Sequence, residues 1–366
     1  MNDPLVSVVL VICNVDRFLV ESIESVLAQT RPNFEFIIVD FGSTDNSKVI
    51  ASSYARKDSR IKFYEIPHCG LAAARNAGCF LARGKYIAIQ DADDVSLPHR
   101  LDAGIDFMEA NPGVGVVGGA VQWIDAAGRP LETYSHPLEN SEIQAALRTR
   151  CPLWQPTVLI RRDVFNIVEG YRAAFSPAED YDLWIRISER WQLANLKDVV
   201  LQYRIHPQQV SMRKQREQTL GVLAARASAE LRRNGRPDPF GSVEEITPAL
   251  LDGLGVSYAM QQNEIISECR RWIWHQCMAG EYPAALSAAT DLLHSDLELV
   301  EKLQIADLYL TVARLNWRKR KFGHAGLAAI RAILTAPLVA GRALNPVLRR
   351  LGFAVSPRTS HIAVIL

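Results

Sequence analysis

Residues 6–90 alternate short apolar runs with amphipathic stretches, and this rhythm constrains the fold more than any other feature of the chain. VSVVLVI (6–12) is a β-branched run of buried-strand type, EFIIV (35–39) and YIAIQ (86–90) follow it as short apolar strands, and IKFYE (61–65) reads as a further strand. Between the first two, residues 16–29 place Leu19, Ile23, Val26 and Leu27 on one helical face. The polar run 43–47 offers several N-cap residues to a helix reaching about Arg56, and 70–82 reads as another helix. Strand and helix repeated in this order imply a parallel sheet covered on both faces. Further strands are expected at 114–123, 157–161 and 199–205, a helix opening near Pro98, and another at 184–191. The expected fold class is therefore α/β, a mostly parallel sheet flanked by helices, over residues 1–212. After residue 212 only helical periodicity remains. Residues 213–366 are expected to be all-α, with helices at 256–279, 282–294 and 299–315 and a loop around the Pro-Asp-Pro at 237–239. The break Gly280–Glu281–Tyr282–Pro283 suggests an antiparallel helix hairpin.

Acidic residues cluster where these strands end. IIVDFGSTD spans 37–45 and YIAIQDADD spans 86–94. Carboxylates at the C-terminal ends of parallel strands face the crevice where open α/β sheets bind ligands. Asp40 can accept hydrogen bonds from a base or ribose, although by itself it reads first as a turn residue, with Gly42 supplying a positive φ. Asp91, Asp93 and Asp94 repel one another unless a cation or solvent relieves them. A hard divalent ion, Mg²⁺ or Mn²⁺, held through this group against a diphosphate is the favoured reading over a solvated turn. Asp180, in Glu-Asp-Tyr-Asp-Leu-Trp (179–184), suits a general base and equally an acidic helix N-terminus. Arg75, in GLAAARNAG (70–78), can reach a diphosphate or form a structural ion pair. His206, in YRIHP (203–207), reads as structural, with a metal-ligand role as the alternative. Taken together, this layout suits an enzyme transferring a group from a nucleotide diphosphate.

Charge is distributed unevenly. The 366 residues carry a formal net charge of +1, yet no Asp or Glu occurs from Leu308 to Leu366. That stretch holds ten Lys or Arg, from Arg314 through the run Arg318–Lys319–Arg320–Lys321 to Arg358. The segment 317–358 thus suggests an anionic membrane surface as partner, with packing against the rest of the protein as an equal alternative. No nucleic-acid partner is expected. The six cysteines show no CxxC or zinc spacing and read as free thiols. With a strand beginning within a few residues of Met1 there is no room for a leader, and no apolar run approaches ~20 residues. A cytoplasmic protein is expected, possible contact with the inner face of the plasma membrane included.

The ordered segments VSVVLVICN (6–14), ESVLAQT (24–30), IIVDFGSTDNS (37–47), GLAAARNAG (70–78), DADD (91–94), EDYDLWIR (179–186) and YRIHPQQVS (203–211) resemble the large family 2 of inverting glycosyltransferases, whose fold is GT-A. The resemblance covers about residues 5–212. It implies that Val11, Cys13, Asn14 and Asp40 line the nucleoside pocket, that Arg75 sits near the diphosphate, and that Asp91 contacts ribose or donor sugar. It further implies Asp93 as metal ligand with His206 in some members, Asp180 as general base, and Trp154, Gln155 and Glu179 beside the acceptor. Two departures stand out. Val-Ile-Cys-Asn at 11–14 replaces a frequent Pro-Thr-Tyr-Asn, and Phe41 replaces an Asp that contacts uracil in some relatives. Phe41 is expected to stack on a base instead, which leaves the carrier open between UDP and dTDP. The Gln-x-x-Arg-Trp motif of processive synthases is absent, so transfer of one or a few sugars is expected. The implied reaction moves a sugar to a glycan or lipid-linked acceptor in lipopolysaccharide, O-antigen or exopolysaccharide assembly. Two alternatives are a nucleotidyltransferase and a degenerate sugar-nucleotide-binding protein. The first lacks a basic triphosphate loop at 11–17, and the retained Asp91, Asp93 and Asp180 oppose the second.

Overall fold

The structure is a computed structural model that describes residues 3–294 and 300–336. Its strands are β1 (Val6–Ile12), β2 (Phe34–Asp40), β3 (Ile61–Glu65), β4 (Tyr86–Gln90), β5 (Val95–Ser96), β6 (Val114–Ile124), β7 (Pro130–Tyr134), β8 (Leu159–Arg161) and β9 (Gln192–Arg204). The helices of the same region are α1 (Asp16–Leu27), α2 (Ser47–Lys57), α3 (Leu71–Leu81), α4 (Arg100–Ala110), α5 (Asn140–Ala146), α6 (Arg162–Ile167) and α7 (Glu179–Ser188). After them come α8 (Val210–Arg213), α9 (Gln215–Arg233), α10 (Pro248–Gly253), α11 (Tyr258–Met278), α12 (Tyr282–Leu293), α13 (Lys302–Arg318) and α14 (Phe322–Thr335). Packing groups them into two compact units, one of residues 3–205 with 221–247, the other of 206–220 with 248–294 and 300–336.

The first unit is built on one nine-stranded sheet in the order β3-β2-β1-β4-β8-β6-β9-β5, with β7 paired to β6. The strands β3, β2, β1 and β4 are mutually parallel, as the alternating sequence predicts. Beyond β4 the sheet is mixed. Strand β8 runs antiparallel to both β4 and β6, and β6 and β9 form a second parallel pair. The chain steps from β1 outward to β2 and β3, then returns to place β4 on the other side of β1. The loops after β1 and β4 therefore diverge, leaving a crevice at the C-terminal ends of these two strands.

Burial on both faces explains why the N-terminal strands are continuous apolar runs. Val6, Val8, Leu10 and Ile12 pack with Leu19, Ile23 and Val26 of α1 and with Leu101, Ile105 and Met108 of α4. The alternate residues face α3. A side chain at Gly78 would lie 2.6 Å from Val9 Cγ1, so glycine there lets α3 settle directly on β1 and β2.

The second unit contains the expected hairpin. Gly280 (φ +79°) ends α11 and Pro283 stands in the first turn of α12. Ile273, Ala285, Ala289, Leu308 and Leu315 form its core across α11, α12 and α13. No helix among the described residues is long and apolar enough to cross a membrane. The expectation for 317–358 falls outside the described residues from position 337 onward. All six cysteines are free.

Candidate active site

The loops after β1 and β2 form one braced wall. Ile12 and Asp40 stand opposite each other at the strand ends. Asn14 adopts φ +56°, and its side-chain oxygen accepts from the Thr44 N–H at 2.8 Å, the Thr44 hydroxyl at 3.1 Å and the Asp45 N–H at 3.3 Å. The Val15 and Asp16 N–H groups donate in return to Ser47 Oγ and Asp45 Oδ2. Asn14 is thus a brace between loops, which explains an Asn in a left-handed position. Asp40 is buried, and its Oδ1 accepts from the Ser43 N–H at 3.0 Å across Gly42 (φ +105°). Val11 is buried, whereas Cys13 is partly exposed with its thiol pushed up by burial and by the charges of Asp40 and Asp45.

Phe41 does not offer its ring as expected. It is buried and stacks on His68, with centroids 6.0 Å apart and planes 20° from parallel. His68 Nδ1 lies 3.1 Å from the Phe41 carbonyl. A carbonyl only accepts, so Nδ1 is the donor of this pair.

The second wall is the loop after β4. Gln90 Nε2 donates to the Asp91 and Asp94 carbonyls, both at 3.0 Å, and Ser22 Oγ of α1 also donates to Asp91. Arg204, 2% exposed, closes the loop from the other side. Its Nε donates to the Asp93 carbonyl at 2.8 Å and its Nη2 to Glu21 Oε2 at 2.5 Å, while its own N–H donates to Asp94 Oδ1 at 2.8 Å. Asp94 is buried with Oδ2 unpartnered, and burial followed by Asp93 and Asp91 pushes its carboxyl well above the usual range. Arg100 is buried beneath the loop, where it donates to Gln90 Oε1, Ser96 Oγ and the Ile89 carbonyl. Desolvation brings it down to about 10.

Arg75 joins this wall to α7. Its Nη2 donates to Asp91 Oδ1 at 2.9 Å and its Nη1 to Glu179 Oε1. Burial opposes its charge, but Asp91 and Glu179 outweigh that effect and hold the guanidinium protonated. Glu179 is 1% exposed and its Oε2 has no partner. Asp180 is the next residue. Helix α7 begins at Glu179, so both acids and Asp182 lie in its first turn, where the helix dipole favours negative charge. Asp180 remains partly exposed, and Oδ1 accepts from the Tyr181 N–H at 2.7 Å. Burial and the neighbouring Glu179 charge push its carboxyl up to about 7, against the pull of Arg75. The crevice thus combines a buried cation between two carboxylates with a third carboxyl poised to exchange protons near neutrality.

A profile of Glycosyl transferase family 2 matches residues 7–166. An uncharacterized glycosyltransferase of Methanocaldococcus jannaschii is 34% identical over 210 residues, covering 56% of this chain and 72% of that protein. This chain belongs to glycosyltransferase family 2. An O-antigen biosynthesis glycosyltransferase of Escherichia coli is 32% identical over 209 residues, 55% of this chain and 80% of that one. Other relatives are longer, and the chain spans 34% of one from Rickettsia felis. The crystal structure of S. aureus TarS 1–349 in complex with UDP-GlcNAc superposes with a TM-score of 0.52, covering 88% of this chain and 90% of that one. At 17% identity that likeness speaks for the fold, which is GT-A. The protein is a glycosyltransferase enzyme with the fold that its motifs led one to expect.

Within this family 2 enzyme, Gln155 is buried and donates to the Tyr171 hydroxyl at 2.8 Å, leaving Oε1 unpartnered. Asn76 fixes Tyr171 through its backbone. Trp154 sits among Trp123, Tyr134, His136 and Tyr203, with ring centroids 4.8–6.4 Å away. His206 belongs to the second unit. It is buried, its N–H donates to Gln209 Oε1 at 3.2 Å, and its Nδ1 lies 3.3 Å from Gln208 Oε1.

Among the described residues no three His, Cys, Asp or Glu side chains converge on a common point to hold an ion. Asp91 is committed to Arg75, and one oxygen of Asp94 to the Arg204 N–H. Asp93, in the same loop, is partly exposed. Sequence reasoning missed Arg204, Arg100 and the bracing role of Asn14. A polar residue within or ending an apolar strand, as in Gln90 and Arg204, was the available signal.

Proposed function

We propose that this glycosyltransferase carries out inverting transfer of a sugar from a nucleotide diphosphate sugar to an acceptor hydroxyl. The acceptor hydroxyl attacks the anomeric carbon as the bond to the diphosphate oxygen breaks, and the hydroxyl proton passes to Asp180. The observation that carries this reading is the pairing of Asp180, raised to about 7, with the Arg75–Asp91–Glu179 cluster. A base of that kind is matched to the working pH, and such matching marks catalytic carboxylates. Arg75 fixes Asp91 toward the donor and Glu179 toward the acceptor. Trp154 and Gln155 border the acceptor, and Val11, Cys13, Asn14 and Asp40 shape the nucleoside pocket.

Asp93 would hold a Mg²⁺ or Mn²⁺ ion, which supplies charge neutralisation on the departing diphosphate when bound. The E. coli relative's part in O-antigen biosynthesis supports a role in cell-envelope or extracellular polysaccharide assembly. Residues 1–212 carry this chemistry in our reading. A panel of UDP-, dTDP- and GDP-sugars assayed for donor hydrolysis identifies the donor, and no turnover with any of them contradicts the proposal. Asp93→Ala is expected to abolish turnover without lowering the thermal unfolding temperature, because it removes a charge that repels Asp91 and Asp94. Full turnover by that variant, or by the native protein in excess chelator, sinks the metal assignment.

A further inference from the structure

Helix α14 is built inside out. Its small residues face inward, with Ala325, Ala328 and Ala332 buried and Ala332 packed with Ala306 and Leu310 of α13. All but Ile333 of its large apolar residues face water. Phe322, Leu327, Ile330 and Leu334 are 52–77% exposed. The spacing 327, 330, 334 sets three of them on one stripe of the helix. A helix whose role is only to pack on its neighbours places its large apolar side chains on the opposite face from this one.

The surroundings of the stripe identify its partner. Trp317, 46% exposed at the end of α13, meets Phe322 edge-on with centroids 4.9 Å apart. Between them stand Arg318, Lys319, Arg320 and Lys321, all exposed, and Arg331 flanks the stripe, also exposed. No acidic residue occurs from Leu308 to the end of the chain. An apolar stripe bordered by unbalanced positive charge complements a surface that is anionic outside and apolar beneath. The same corner of a second copy brings the same positive charge and opposes a self-complementary contact. A polyanion such as nucleic acid offers nothing to the leucine stripe.

We propose that the α13–α14 corner docks on an anionic lipid surface. Helix α14 lies in the plane of the interface, its stripe among the upper acyl chains and the basic turn among the headgroups. At 14 residues it is about 21 Å long, too short to span a bilayer of ~30 Å. This inference does not depend on the identity of the sugar donor or on the role of Asp180.

The test is flotation of the full-length protein with vesicles of phosphatidylcholine alone and with 30 mol% phosphatidylserine. Binding is expected on the anionic vesicles, at least tenfold weaker on neutral ones, and weakened by 0.5 M salt. Ile330→Glu/Leu334→Glu and Lys319→Glu/Arg320→Glu/Lys321→Glu are each expected to lower anionic binding at least tenfold. Their sites are exposed, so unchanged thermal unfolding and donor hydrolysis serve as folding controls. Equal binding to both vesicle types, no binding to either, or full binding by both variants overturns the proposal. So does a stripe variant that leaves flotation intact but converts an oligomer to monomer in sedimentation, which would assign the face to a protein partner.

Discussion

Asp180→Asn is expected to slow sugar transfer by about 10²–10⁴-fold while leaving donor affinity nearly unchanged, because the amide keeps the shape but takes no proton. Steady-state kinetics with donor binding measured separately checks both halves. Loss of donor binding with retained turnover at saturation would make Asp180 a binding residue. The same carboxyl sets the pH dependence. The base works only when ionised, and burial with Glu179 raises it to about 7. The rate should therefore level off above pH 7 and fall about tenfold per unit below it. A limb breaking near pH 4 would show an unperturbed carboxyl and remove Asp180 from that role.

The largest effect on stability is expected from Arg75→Met. Arg75 lies between Asp91 and Glu179, and Glu179 is almost fully enclosed. Breaking a buried ion pair by removing one partner typically costs about 3–5 kcal/mol, since the remaining charge stays desolvated. Urea unfolding of the variant measures this. Adding Glu179→Gln should recover part of the loss, because it neutralises the orphaned acid, so the two changes should be strongly non-additive. Additive effects would mean that the pair contributes little as a pair. Any residual activity should show its pH limb displaced upward, since Arg75 opposes the rise in the Asp180 carboxyl.

The parallel half of the sheet was legible because β1, β2 and β4 are buried on both faces and read as near-continuous apolar runs, while the edge strand β3 keeps a short run with Ile61 and Phe63 on one face. Each of the runs at 6–12, 61–65 and 86–90 coincides with a strand, end for end. The other half was harder to read. Strand β8 is three residues long and β5 only two, too short for any periodicity, and the pairing of β8 with β4 and β6 has no local signature. The individual site residues were visible as types, but their couplings were not. Arg75 and Glu179 are 104 positions apart, and local sequence left an ion pair and a phosphate contact equally open for the arginine. Arg204 reads as one more strand residue, yet it fastens the carbonyl of Asp93, the side chain of Glu21 and, through its N–H, Asp94. Asn14 reads as a ligand-facing residue, and its role in bracing the two loops through Thr44 and Asp45 had no local signal. The start of α7 moved from 184 to Glu179 because three acids that resemble a loop are well placed in the first turn of a helix.

The most direct test of the central claim is the anomeric configuration of the sugar as it leaves the enzyme. Proton NMR of early hydrolysis or transfer product from an α-linked nucleotide sugar distinguishes the two anomers before mutarotation mixes them. A single displacement assisted by Asp180 predicts the β-anomer first. An α-anomer as first product would require retention, and would contradict both the single displacement and the role given to Asp180.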